Sequence, residues 1–173
     1  MQNSVMKVAI IGAGPRGLWA SEELMERARE RGAAIDVTVF DAKPLEESSA
    51  PGAFRDSVPE EFILNAPKSI VETKLGPLDP NDELPGDFPS RKHVGEHLDK
   101  SWCALEKNLP PRCSLTHRVE NIEMVEPTDS GVDVLGEHFD EVLMVTGHAH
   151  DWPGSLAHAD LGELKVVAPA YPP

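Results

Sequence analysis

The chain has 173 residues, 40% of them hydrophobic and 27% charged, an ordinary globular composition that argues against wholesale disorder and against a fibrous repeat. Sixteen basic against thirty acidic side chains give a net charge of −14, which argues against nucleic acid or an anionic membrane surface as the main partner. Cys103 and Cys113 make no CxxC pair, and the first apolar run, Val8 to Ile11, is too short for a signal-peptide core or a membrane span; one domain over residues 1–173, located in the cytoplasm, is the expectation.

Lys7 to Ile11 is rich in β-branched residues and stops at Gly12, as a buried parallel strand does. From Pro15 to Arg31 the spacing becomes helical. Gly17, Ala20, Ser21, Leu24 and Ala28 share one face, with Glu22, Glu26, Arg27 and Glu30 mostly elsewhere. Gly32 follows as a C-cap. Ile35 to Phe40 reads as a second strand, ended by Asp41. Strand, helix and strand of these lengths make a right-handed βαβ unit.

Residues 42–92 are rich in Pro, Gly, Ser and acidic residues, and predict a long loop that covers a ligand. A helix returns over His93 to Leu109, with Val94, Leu98, Trp102, Leu105 and Leu109 on one stripe. Val119 to Val125 alternates in part, Thr128 to Gly131 is turn-rich, and Val132 and Val134 alternate again; this predicts a β-hairpin. Phe139 to Val145 is a further apolar strand, entering Thr146-Gly147-His148, and Ala149 to Pro173 is loop-like.

Gly12-Ala13-Gly14-Pro15-Arg16-Gly17 is G-x-G-x-x-G between a strand and a helix, the fingerprint of a dinucleotide site. Gly12 permits the tight turn, Gly14 lets a pyrophosphate approach the backbone, and Gly17 lets helix and strand pack closely. The helix N-terminus offers N–H groups and a positive dipole end to the phosphates. Asp41, at the end of the second strand, is placed to accept hydrogen bonds from the adenosine ribose, and disfavours a 2′-phosphate there. Arg16 has two readings, a cation over the pyrophosphate and a solvated first-turn residue.

NAD and FAD share this fingerprint. The apolar strand Glu141 to Val145 running into Thr146-Gly147, with Pro153 beyond, resembles the second signature of flavoproteins. Val145 stands where alanine is usual, so its larger side chain either crowds the cofactor or repacks. A βαβ unit, then a meander, then a strand ending Thr-Gly is the order of flavoproteins with two dinucleotide-binding domains. Plain NAD dehydrogenases continue with further βα units.

Val8 to Gly17 resembles the opening of the FAD/NAD(P)-binding family of lysine- and ornithine-hydroxylase-like flavoproteins. The blocks Pro51 to Arg55, Ile63 to Pro67, Phe88 to Leu98 and Val145 to His148 are similar to that family's blocks, in the same order. The resemblance implies a three-layer α/β Rossmann-like fold with a parallel sheet and a β-meander, FAD as cofactor, and NAD(P)H as electron donor. Asn65 lies on a loop that the family places near the flavin. Arg91 fits either a flavin-phosphate or loop-locking contact or a surface salt bridge. Family members continue beyond this length with a segment that completes the flavin site. The resemblance therefore implies an N-terminal FAD-binding portion of a flavin oxidoreductase, monooxygenase-like and not catalytic as an isolated 173-residue chain.

No metal site is expected. His148, His150, Asp151 and His158 offer no convincing third and fourth ligand by spacing. Ser-His-Asp, Walker and HExxH arrangements are absent from the sequence, so the cofactor supplies any chemistry. Two rival readings stand beside this one. A short NAD-dependent dehydrogenase is disfavoured because the sole tyrosine, Tyr171, makes no Tyr-x-x-x-Lys pair. A non-catalytic dinucleotide-binding module, acting as a sensor or in assembly, is the other.

Overall fold

The computed structural model describes residues 5–42, 54 and 59–146. Its elements in chain order are β1 (Met6–Ile11), α1 (Pro15–Arg31), β2 (Ile35–Asp41), β3 (Glu72–Thr73), β4 (Gly76–Pro77), α2 (Arg91–Lys107), β5 (Cys113–Val119), β6 (Val125–Thr128), β7 (Gly131–Val134), β8 (Glu137–Phe139) and β9 (Glu141–Met144), with a 3-10 turn at Lys68–Ile70. Strands β5, β2, β1 and β9 lie side by side in that order, all parallel. Strands β6, β7 and β8 form a separate antiparallel meander.

The period of two along each strand decides the layers. Val8 and Ile10 of β1 and Ile35, Val37 and Val39 of β2 face the helices, where Leu18, Met25 and Ala28 of α1 and Val94, Leu98 and Trp102 of α2 join them in one buried cluster. Ala9 and Ile11 of β1 and Phe40 of β2 face the other way, against Val134 and Phe139 of the meander. The rings of Phe40 and Phe139 meet edge to face at 5.9 Å. Helices, parallel sheet and meander are thus the three layers of an α/β, Rossmann-like fold. Each large apolar side chain so buried contributes about 1.5–3 kcal/mol.

Pro15 opens α1 at a position that needs no N–H, and Gly32 closes it in the left-handed conformation, φ 61°. The Ala33 N–H donates to the Ala28 carbonyl and the Gly32 N–H to that of Arg29, as in a Schellman end. The buried stripe departs from the expected one. It runs through Leu18, Ser21, Glu22, Met25 and Ala28, and Glu22 is only 4% exposed. Its carboxylate accepts the backbone N–H of Lys74 at 3.0 Å, so a distant turn covers it.

Within the long loop, residues 59–90 carry local pairing of their own. Ile63 and Ser90 form a bridge, and the N–H groups of Leu64 and Arg91 donate to Pro89 and Phe62. The Lys68 ammonium donates to Asp79 and to the Leu84 carbonyl and pairs with Asp82, gathering residues 79–84 around one half-buried cation. Thr73 meets His97 at 3.2 Å and Ser101 at 2.7 Å, which pins the β3–β4 turn to α2. Residues 43–53 and 55–58 lie outside the described residues.

Two strand expectations are corrected. Val119 does not open a hairpin; it ends β5, a seven-residue parallel strand that composition hides, and the hairpin begins at Val125. Phe139 to Val145 is not one strand. Phe139 closes the meander, Asp140 turns the chain, and Glu141–Met144 joins β1. The Asp140 carboxylate accepts the Lys7 N–H at 2.7 Å while the Asp140 N–H donates to the Lys7 carbonyl, which moves the chain from one layer to the next.

Candidate functional site

Ile11, the last residue of β1, pairs with Phe40 on one side and Met144 on the other. The next residues, Gly12, Asp41 and Val145, therefore emerge together at the carboxyl edge of the sheet. From β1 the chain passes through α1 to β2, whereas β9 arrives on the opposite side of β1. Ligands of open α/β sheets bind at such a switch point.

Two of the three glycines are required by the fold itself. Gly12 has φ 115°, and a Cβ there would lie 2.6 Å from the Val145 carbonyl oxygen. A Cβ on Gly17 would lie 2.1 Å from the Gly12 carbonyl oxygen. Gly14 is different. At φ −65° and ψ −172° its backbone suits any residue, and it is the N-cap of α1.

Asp41 holds this turn directly: its Oδ2 accepts the Ala13 N–H at 2.9 Å. The Gly12 N–H donates to the Phe40 carbonyl at 2.7 Å, and the Val145 N–H donates to that of Ile11 at 2.9 Å. From the helix layer, the Trp102 indole N–H donates to the Ala13 carbonyl at 3.1 Å. The Trp102 ring meets the His117 ring edge to face at 4.8 Å. Burial holds the His117 imidazole below its usual range, with Glu106 and Asp41 partly opposing that shift.

Gly12, Gly14, Pro15, Arg16, Gly17 and Asp41 thus come together. Pro15 is the first helical residue and Arg16 is exposed on the first turn. Thr146 stands exposed beside the turn, its Cα 3.3 Å from where a Gly12 Cβ would be. The Val145 side chain packs against the helix-side core. Asn65 and Arg91 sit on the two segments that the Ile63–Ser90 bridge joins. Asn65 is exposed in a bend, and Arg91 opens α2 with its guanidinium 5.6 Å from the Phe54 ring centre. Gly147, His148, His150, Asp151 and His158 lie outside the described residues. Trp102 is the contact that sequence reasoning missed: the apolar stripe shows it as core, and nothing local shows its partner, 89 residues away.

An open cleft of about 480 Å³ lies elsewhere, between α1, α2 and the β3–β4 turn, lined by Glu22, Glu26, Lys74 and Asn108 among others. Its charges are matched internally, Lys74 pairing with Glu26 and Glu23. Among the described residues no group of three or more His, Cys, Asp or Glu side chains is arranged to hold a metal. No helix among them is long and apolar enough to cross a membrane.

A profile described as FAD-NAD(P)-binding matches residues 9–149, from the middle of β1 to beyond β9. The chain belongs to the FAD-NAD(P)-binding family. Its cofactors are accordingly FAD and NAD(P)H, and the domain is a dinucleotide-binding domain of the oxidoreductase type. No curated protein matches the chain.

Proposed function

We propose that the turn Gly12–Gly17 holds the pyrophosphate of FAD, that Asp41 receives the adenosine ribose, and that the chain is the FAD-binding part of an NAD(P)H-dependent flavin oxidoreductase of the lysine- and ornithine-hydroxylase-like, monooxygenase type. The observation that carries the reading is Gly14, a glycine that its own backbone conformation does not require, at the cap of a helix and beside Asp41. The donors there suit a diphosphate, since first-turn N–H groups and the helix dipole both favour an anion. Bound FAD would supply hydride-accepting chemistry that no side chain provides.

FAD is favoured over NAD at this turn by the third layer. The meander β6-β7-β8 occupies the sheet face that further βα crossovers would cover in a plain dehydrogenase. Thr146, with Gly147 after it, is assigned to the flavin side of the turn. Asn65 and Arg91, held on paired segments, are assigned to the flavin end, and Arg16 to the outer side of the pyrophosphate. The absorption spectrum of the purified chain after incubation with FAD or NAD and gel filtration tests the choice. Retention of the yellow flavin, and not of NAD, is expected; retention of NAD alone would overturn it.

A further inference from the structure

We propose that Trp102 is a positioning residue for the dinucleotide, aiming the Gly14 N–H at the phosphates through the Ala13 carbonyl. The inference rests on the reading of the glycine turn given above. Trp102 is 1% exposed, on a helix far from the turn in sequence, and its indole N–H donates to the Ala13 carbonyl at 3.1 Å. That carbonyl and the Gly14 N–H belong to one peptide unit. A trans peptide is planar, so the two groups point in opposite directions. Drawing the carbonyl in toward α2 therefore turns the Gly14 N–H out of the core.

The preceding peptide unit is fixed in the same manner from the other side. Asp41 takes the Ala13 N–H at 2.9 Å, which directs the Gly12 carbonyl away toward Gly17, where only a glycine leaves room for it. Ala13 itself is buried. With both flanking peptides tethered by side chains from β2 and α2, the turn cannot flip without breaking one of these hydrogen bonds. Trp102 is held in turn: Val94 and Leu98 precede it in the same cluster, and the His117 ring closes on its edge. Donors fixed before the ligand arrives bind it without an ordering cost.

The test replaces the Trp102 side chain alone by its benzothienyl isostere, which keeps the shape and lacks the N–H. ADP is titrated by calorimetry and adenosine by NMR. Affinity for ADP is expected to fall about tenfold, the size of one hydrogen bond to a charged group, while adenosine affinity stays as in the unaltered chain; the thermal midpoint falls in step with the loss of the donor to the buried Ala13 carbonyl. Unchanged ADP affinity, or equal losses for ADP and adenosine, would overturn the proposal, because a merely structural role cannot separate the two ligands. A second measurement needs no isostere. In the unaltered chain, the indole N–H resonance that is missing from Trp102→Phe is expected to exchange slowly with solvent and to shift with ADP but not with adenosine; fast exchange and no shift would overturn the assignment. If the unaltered chain binds neither ADP nor FAD, the glycine-turn reading itself fails, and this inference with it.

Discussion

The Asp41 carboxylate accepts the N–H of Ala13 at 2.9 Å, tying the end of β2 to the glycine turn at the end of β1. The acid that reads the ribose in the proposed complex is thus also a fastening of the turn that reads the phosphates.

Asp41→Ala is expected to weaken ADP binding by about 1.5–3 kcal/mol, the range for a hydrogen bond to a charged group. Calorimetry with ADP and with its 2′,3′-dideoxy analogue divides the two roles. The analogue should lose less, keeping only the part due to the turn. Equal losses would mean that Asp41 acts through Ala13 and does not touch the ribose.

The three glycines should respond differently to alanine. Gly12→Ala and Gly17→Ala force a Cβ to within 2.6 Å and 2.1 Å of a carbonyl oxygen and should each destabilise the fold by about 1–3 kcal/mol or more. Gly14→Ala has an allowed backbone and should unfold in urea close to the unaltered midpoint. Similar midpoints for all three variants would contradict the separation of fold from ligand drawn here.

The glycine hexapeptide, Asp41 and the strand before Thr146 were legible because each is a local pattern: three residue types at fixed spacing, or an apolar run with an abrupt end. β5 was not. Cys113, Leu115 and His117 alternate with Ser114, Thr116 and Arg118, a period-two signal that the polar second face and the flanking Pro110 and Pro111 obscure. Glu22 lies on the helix-side face through contact with Lys74, which no helical pattern can display. Trp102 illustrates the same limit at the site, since its packing shows in the sequence and its hydrogen bond across the fold does not.

Acid should loosen the fold through two histidines. Burial is the main cause holding His97 and His117 below their usual 6.5, the Gly76 carbonyl partly opposing it at His97 and Glu106 at His117. The unfolded chain therefore takes up these protons first. The stability gained from keeping the rings neutral is complete above about pH 6.5 and is lost as pH falls through the depressed folded values. Urea titrations should show a midpoint that declines below about pH 6.5, with a shallower decline in His97→Gln. An identical slope in that variant would contradict the assignment.

Glu22 has the opposite sign. Burial raises its carboxyl above the usual 4.5, against the lowering effect of the Lys74 N–H. Its contribution therefore diminishes as pH rises from about 4.5 through the raised value. Glu22→Gln keeps an acceptor for Lys74 and removes the buried charge. Its thermal midpoint should exceed that of the unaltered chain at neutral pH, with the difference closing near about pH 4. A lower midpoint at neutral pH would show that pairing with Lys74 outweighs desolvation.

The decisive measurement is calorimetric titration of FAD into the unaltered chain and into Gly14→Val, with circular dichroism on both. In the proposed complex a branched side chain at Gly14 occupies the place of the pyrophosphate, and φ −65° there is not a positive φ to strain. Saturable FAD binding by the unaltered chain, and none by a folded Gly14→Val, is expected. Equal FAD affinity in the two folded proteins would contradict the proposed complex.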